Sequence, residues 1–430
     1  MNNINKVSDS FLCSNCGACN AICPKGAIRF RFTSMGRMYA NAGSSCIDCG
    51  VCLKVCPSMD LYNIHEDYTD KYYGNILRML VGKATDTKVF NNAQSGGAST
   101  AILSFLFDKK LIDGAVVCRM TYGVNEPDVK AVVVTQKEQL VETQKSCYTP
   151  VDILSALKET KSLSSVAIVG LPCHIQGVVS LQKTSKKFSN VKYKIGLVCD
   201  RTLTKTIYGS LLGKRKNVLI KWRGKGFANT GKFYQYNSAP VIICNPQKKD
   251  VVLPNAYRFA LKDFYTAPRC RVCYDKINVN ADIVLGDPWR LDGIDEVYGE
   301  SLILTRTSLG DELIAMLVQE GKLQLREYDK SLISKSQLVE ERKEQIATYS
   351  KAFSVLHPLI DSYLLNQGED AGTNDEKIES ARQKLLSFIT HENMSKEEIV
   401  KESRKIMKKA FPFHRKVIEL IISYINKNKF

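Results

Sequence analysis

Eight of the fifteen cysteines in this 430-residue chain stand before residue 57, in two runs of identical spacing. Cys13, Cys16, Cys19 and Cys23 follow C-x2-C-x2-C-x3-C with Pro24 next, and Cys46, Cys49, Cys52 and Cys56 repeat it with Pro57 next. Three thiolates this close can wrap three irons of one cubane from a single turn, while the fourth lies past the turn and reaches the other cluster. The expected ligand sets are therefore Cys13, Cys16, Cys19 and Cys56 for one 4Fe-4S cluster, and Cys23, Cys46, Cys49 and Cys52 for a second. Gly17 and Gly50 follow the second cysteine of each run, where a bare backbone relieves crowding and offers N–H groups to sulfide. Zinc would instead want two separated pairs. The chemistry implied is one-electron transfer.

More candidate residues follow. Gln94-Ser95-Gly96-Gly97 directly precedes a helical stretch, where N–H groups and the positive helix end suit a phosphate; an ordinary glycine N-cap is the alternative. Gly170-Leu171-Pro172-Cys173-His174 follows one short apolar run, and Gly196-Leu197-Val198-Cys199 closes the next. Cys270-Arg271-Val272-Cys273 comes later, then Ala281-Asp282-Ile283-Val284-Leu285-Gly286-Asp287-Pro288-Trp289. Cys118 and Cys244 read as small buried residues at strand ends, and Cys147 stands outside any paired spacing.

This ordered series resembles the coenzyme F420 hydrogenase/dehydrogenase beta-subunit family over roughly residues 80–320, with a ferredoxin unit in front. The resemblance implies a domain that binds FAD with a third 4Fe-4S cluster beside it, held by Cys173, Cys199, Cys270 and Cys273. The residues lend support of their own, since two single cysteines ending neighbouring strands and a later C-x2-C pair can complete a four-thiolate site. A zinc site or simply buried thiols stay open as alternatives. Family likeness puts Ser95, Gly96 and Gly97, in the Gln94–Gly97 turn, at the flavin's phosphates. It also puts Lys145, Ser146 and Tyr148 against the flavin, and the basic loop Arg223-Gly224-Lys225-Gly226 near the cofactor; a solvated charged turn is the other reading of that loop. His174 either donates a proton near the flavin or is a hydrogen-bonded structural histidine.

The implied function is an iron–sulfur flavoprotein oxidoreductase, exchanging electrons between a ferredoxin-like partner and an FAD-linked two-electron substrate. The alternative is a non-catalytic electron-transfer subunit of a larger redox complex, F420-dependent or polysaccharide-associated. Members of the family use different substrates, so the likeness leaves the substrate open.

The elements that must position these residues begin after a polar, tyrosine-rich connection, Asp60 to Tyr73. Periodicity predicts helices over Ser99–Phe107, Thr202–Leu212 and Asp311–Glu320. Strands are predicted over Ile112–Val117, Ser165–Val169, Val191–Val198, Val218–Trp222, Lys232–Tyr236, Val241–Ile243 and Ala281–Leu285. The fold class is thus α+β to α/β. A bacterial-type dicluster ferredoxin domain (1–75) precedes a mixed α/β flavin-binding body (76–335, in parts 76–160 and 161–335) and a basic helical C-terminal extension (336–430). A hinge is expected at Gln367–Asp375. Phe413, Val417, Leu420 and Tyr424 share one helical face, which packs on the chain's own body or docks on a partner or membrane surface.

The net charge of +17 favours acidic partners, and the last thirty residues carry nine Lys/Arg against two Asp/Glu. No finger, RNP or recognition-helix motif accompanies that charge, so nucleic acid is not an expected partner. Clustered cysteines, no run of about eighteen apolar residues and a polar first segment, Met1 to Ser10, lead to the expectation of a cytoplasmic protein.

Overall fold

The computed structural model describes residues 2–59, 70–225, 240–354 and 374–410. In the first unit the helices Ala18–Ile22 and Val51–Lys54 each grow out of a cysteine loop. Between them, β1 (Ile28–Phe32) and β2 (Met38–Ala42) form an antiparallel hairpin with Ile28 opposite Ala42.

The body is built on a mixed sheet. Its strands are β3 (Arg78–Ala84), β4 (Gly114–Thr121), β5 (Asp128–Val134), β6 (Val166–Gly170) and β7 (Val191–Leu197). A separate antiparallel sheet of β8 (Leu219–Lys221), β9 (Val241–Asn245) and β10 (Lys248–Leu253) interrupts the order before β11 (Ile283–Gly286), β12 (Ser301–Thr305) and β13 (Leu323–Tyr328). The large sheet runs β13-β3-β12-β11-β7-β6-β4-β5. Its middle strands β11, β7, β6 and β4 are parallel, and antiparallel strands close both sides. A parallel centre must be covered on both faces, which is why Val166, Ala167 and Ile168 of β6 are all fully buried.

The faces have different neighbours. Leu80, Ala167 and Ile303 meet apolar residues of the helices Ala98–Asp108 and Ser308–Gln319. On the other face Val81, Val166, Ile168 and Leu302 share a core with Ile175 and Val178 of the helix Pro172–Thr184, and with Cys16, Ala18 and Val55 of the first unit. The ferredoxin unit is therefore part of the body's core, where each fully buried aliphatic side chain contributes about 1.5–3 kcal/mol. Main-chain bonds reinforce the junction: Leu154 N–H donates to Cys16 at 2.9 Å and Lys205 N–H to Gly36 at 2.9 Å. Gly17, at a left-handed φ of 95°, comes so close to the body that a Cβ there would lie 2.6 Å from the Ser155 nitrogen.

The C-terminal helices Val339–Ser354 and Asp375–Glu392 close over this junction, while Lys396–Ala410 packs on the body, where Arg404 donates to the Gly209 oxygen at 3.0 Å. Phe353, Ala381 and Leu385 pack with Ile4, Val7 and Leu12 of the first unit and with Val272 of the body. Arg37, at the start of β2's hairpin arm, meets Glu392 in an ion pair at 2.9 Å whose side chains are each only 9% exposed. No helix among the described residues is long and apolar enough to cross a membrane.

Two local expectations need correction. The helix expected from Thr202 begins only at Ile207, because the preceding main chain is claimed elsewhere: Leu203 N–H donates to Tyr148 at 2.7 Å and Thr204 N–H to Tyr265 at 2.8 Å. The strand expected to end at Val117 runs on to Thr121, so Cys118 lies inside β4 rather than at its end. Lys232–Tyr236, most of the expected hinge at 367–375, and the face of Phe413, Val417, Leu420 and Tyr424 lie outside the described residues. Asn374 is described, and its side chain caps the next helix by accepting from Glu376 N–H at 2.7 Å.

Candidate functional site

The first eight cysteines fall into two groups. Cys19 has Cys16, Cys13 and Cys56 as its electrostatic neighbours, ahead of Cys52. Cys56 in turn faces Cys16 and Cys13, although it ends the second run. Cys52 faces Cys46 and Cys49, and these three line an open pocket together with Cys23 and Ile47. The fourth cysteine of each run thus joins the other run's first three. Ala27 N–H donates to the Cys23 sulfur at 3.3 Å, a typical hydrogen bond to a cluster thiolate.

Burial first, with neighbouring sulfurs adding to it, pushes the Cys16 thiol up to about 11 and Cys56 to about 12. Thiols packed this way repel one another as anions, and a cationic iron core between them reverses that cost. Among the described residues no three His, Cys, Asp or Glu side chains converge tightly enough to hold a single ion. A cubane asks for a wider arrangement, because each thiolate takes its own iron at a separate corner. The sets fit that group.

A third group forms in the body. Cys173 sits on the first turn of the helix after β6, and Cys199 follows β7. These strands are parallel neighbours, so both cysteines emerge at one edge of the sheet. Cys270 lies within the short helix Pro268–Arg271, and Cys273 follows it. Cys173 has Cys16, Cys199, Cys273 and Cys270 as neighbours, and Cys199 has Cys270 and Cys273. Burial, then these sulfurs, pushes both thiols well above the ordinary range. The Cys173 thiol reaches across to the main-chain oxygen of Ser14, 3.8 Å away in the middle of the first cysteine loop. Arg269 Nε donates to Ser58 Oγ at 3.1 Å, bridging the same two groups of cysteines. Four half-buried thiols that face one another are again a donor set that fits a cubane.

The Gln94–Gly97 turn lies against β3 and β12. Gly97, at φ 80°, is the N-cap of the Ala98–Asp108 helix, which has no side-chain cap and no acidic residue in its first turn. Its N–H groups are open to an anion. Gly96 has a structural reason of its own, since a Cβ would stand 2.4 Å from the Gly82 oxygen and 2.5 Å from the Ser301 nitrogen. Gln94 accepts from Ser146 N–H at 2.6 Å and donates to the Arg223 oxygen at 3.0 Å. Ser95 Oγ donates to the Glu300 oxygen at 2.6 Å, and Lys225 Nζ donates to the Ser95 oxygen at 3.0 Å and to that of Phe90. Arg223 donates to Ser146 Oγ at 2.8 Å and pairs with Asp287. The Arg223–Lys225 segment is thus tied into the turn rather than being a solvated loop.

Burial, opposed by Asp295, brings Lys225 down to about 8. Lys145, at φ 99°, donates to Asn92 Oδ1 at 3.2 Å, and burial followed by Lys221 lowers its pKa. Tyr148 stands edge-on to Trp222 at 5.3 Å; burial works to raise its hydroxyl, but Arg223, Arg258 and Lys262 bring it below the usual range. A bare helix end ringed by Lys225 and Lys83 is a donor set suited to a phosphate-bearing cofactor.

His174 is occupied as a helix cap. Its Nδ1 accepts from Leu171 N–H at 3.1 Å, the ring also bonds to the Val151 main chain, and burial holds it neutral down to about 4. A proton-donating role would require those main-chain bonds to break. Cys147 packs against Cys118, and the hydrogen bond they share brings Cys147 down to about 7 while Cys118 is pushed up. Cys244, buried in β9, donates to Asp250 at 3.3 Å.

Comparison with known proteins places these groups. Residues 12–59 match a 4Fe-4S dicluster domain. Residues 79–158 match the N-terminal and 163–331 the C-terminal model of the coenzyme F420 hydrogenase/dehydrogenase beta subunit. The chain belongs to that beta-subunit family. It is an iron–sulfur electron-transfer protein of an oxidoreductase family. Among its family relatives, the coenzyme F420-dependent sulfite reductase of Methanocaldococcus jannaschii is 30% identical over 76% of this chain, which spans about half (49%) of that protein's length. The coenzyme F420 hydrogenase subunit beta of Methanosarcina barkeri is 26% identical, covering 64% of this chain and 94% of its own. A chain of the F420-reducing NiFe hydrogenase complex of Methanosarcina barkeri shares the fold, with a TM-score of 0.50 at 22% identity over 64% of this chain and 91% of that one.

The beta-subunit models take in Gln94–Gly97, Lys145–Tyr148, Lys225 and the third group of cysteines, and end at residue 331. One residue beyond that limit enters the site. Arg342, buried in the helix Val339–Ser354, donates to the main-chain oxygens of Cys270 at 2.6 Å and Cys273 at 2.9 Å. No local pattern marks it in the sequence, because its partners lie about seventy residues earlier.

Proposed function

We propose that this chain is an iron–sulfur flavoprotein oxidoreductase, exchanging electrons between a ferredoxin-like partner and a two-electron substrate. The observation that carries this reading is the contact of Cys173 with Ser14, which sets the body's four cysteines against the buried group of the ferredoxin unit. Cys13, Cys16, Cys19 and Cys56 would hold one 4Fe-4S cluster, Cys23, Cys46, Cys49 and Cys52 a second, and Cys173, Cys199, Cys270 and Cys273 a third. Gln94–Gly97, Lys145, Ser146, Tyr148 and Lys225 would hold FAD. Bound clusters supply one-electron transfer, and a bound flavin links single electrons to pairs.

The chain's own residues do the rest. The exposed Cys49 puts the outer group at the surface, where a partner can approach, while Cys13, Cys16, Cys19 and Cys56 are buried and the body's four cysteines are half-buried. Gly17 lets the ferredoxin unit approach the body without an intervening side chain. Lys225 and the bare helix end offer positive charge to a phosphate. Names of relatives supply coenzyme F420 as the candidate substrate. A relay role within a larger complex is the second reading, favoured by relatives named as subunits.

Protein purified anaerobically should contain about twelve irons, matching acid-labile sulfide and one flavin per chain. About eight irons and no flavin after attempted reconstitution with FAD would leave the ferredoxin unit alone and overturn the proposal.

A further inference from the structure

The loop of the third group of cysteines is braced by a residue from outside the span that the family model matches. All three nitrogens of the Arg342 guanidinium are engaged: Nε on the Cys273 oxygen at 2.9 Å, one Nη on Cys270 at 2.6 Å and the other on Gln345 Oε1 at 2.9 Å. The side chain is 3% exposed, and no carboxylate pairs with it within salt-bridge distance among the described residues. Asp200, next to Cys199, is paired instead by Lys262, by Arg201 at 3.1 Å and by Lys276 at 3.9 Å. Arg342 is thus the buried cation whose hydrogen bonds go to the C-x2-C loop itself. Arg271, inside that loop, is fixed by the same helix through Tyr349 Oη at 2.7 Å.

We propose that Arg342 is a positioning residue that sets the reduction potential of the third cluster, and that the C-terminal helices are retained to deliver it. The proposal rests on the reading that Cys173, Cys199, Cys270 and Cys273 hold a 4Fe-4S cluster. A cluster gains one negative charge on one-electron reduction, so a fixed buried cation beside it favours the reduced form and raises the potential. The residue comes from beyond residue 331, where the family model ends, so this tuning is a property of the extension rather than of the shared body.

The test is an EPR-monitored redox titration of the parent protein, Arg342→Gln and Arg342→Lys, with iron analysis on each. Arg342→Gln is expected to lower the third cluster's potential, so that its reduced-to-oxidised ratio at a fixed poise falls about tenfold, which is 59 mV for a one-electron couple. Arg342→Lys keeps the charge and should recover most of that shift. An unmoved potential in Arg342→Gln with about twelve irons retained overturns this proposal alone; equal falls in both variants also overturn it, since charge would then not be the cause. Where Arg342→Gln sheds the cluster, the Lys variant decides, a near-parental potential supporting the proposal and a lowered one overturning it. A parent protein with only about eight irons overturns the third-cluster reading and this proposal together.

Discussion

Replacing Arg37 with methionine should release the C-terminal helices from the ferredoxin unit. Arg37 Nε and Nη2 each meet a Glu392 carboxylate oxygen at 2.9 Å, and Thr33 Oγ1 donates to the same carboxylate at 2.9 Å. The guanidinium also lies over the Phe11 ring at 4.5 Å and the Tyr39 ring at 5.2 Å. Both ionic side chains are 9% exposed, so removing one leaves the other buried with its charge uncompensated. That costs about 3–5 kcal/mol, or roughly a 150- to 5,000-fold rise in the population with the contact open. Hydrogen exchange of peptides spanning the helix Asp375–Glu392 reads this population directly. Arg37→Met combined with Glu392→Leu should restore most of the protection, because an apolar pair of similar volume replaces a buried ion pair at little cost. Exchange that rises less than about fivefold in Arg37→Met, or as much in the double variant as in the single one, would show that this ion pair does not hold the helix in place.

Two further outcomes follow from the geometry. Gly17→Ala forces a residue with a side chain to φ 95° and puts its Cβ 2.6 Å from the Ser155 nitrogen, so unfolding stability should drop by about 2–4 kcal/mol. Urea unfolding followed by cluster absorbance checks it, and a loss under about 1 kcal/mol would count against the close docking of the two units. Lys225 loses its proton near pH 8 rather than at its ordinary 10.5, so its charge is present below that pH and lost above it. Flavin affinity should therefore weaken above about pH 8, by up to tenfold per pH unit, and Lys225→Gln should bind more weakly with that pH dependence removed. Fluorescence titration with FAD measures both, and parent affinity that is flat between about pH 7 and 9 would remove Lys225 from the site.

What could be read in the sequence was what is local. Ligand spacing around a cubane is a matter of a few residues, so the two N-terminal sets were visible, including the exchange of Cys23 and Cys56 between runs. Cys173 and Cys199 were legible as strand ends, and β6 and β7 do bring them to one edge. The glycines were legible only in part. Gly17 was expected to serve the cluster, yet its backbone freedom is also required by contact with Ser155, over a hundred residues away. Gly96 was expected at a phosphate, and the approach of β3 and β12 demands it in any case. His174 had two open roles, and its place three residues beyond Leu171, the capping position of a helix, is the local signal for the structural one. The covering of the ferredoxin junction by the C-terminal helices left no trace, because Arg37 with Glu392 and Arg342 with Cys270 are contacts between distant segments.

On the proposed function, the ferredoxin unit and the body form one path for electrons. Rapid mixing of flavin-loaded protein with a reduced ferredoxin, followed by flavin bleaching, tests it most directly when Cys16→Ala is compared with the parent. Bleaching should be prompt in the parent and at least about tenfold slower in Cys16→Ala, which lacks a proposed ligand of the first cluster. Equal rates in a variant shown to lack that cluster would mean that electrons reach the flavin by another route, and would contradict it.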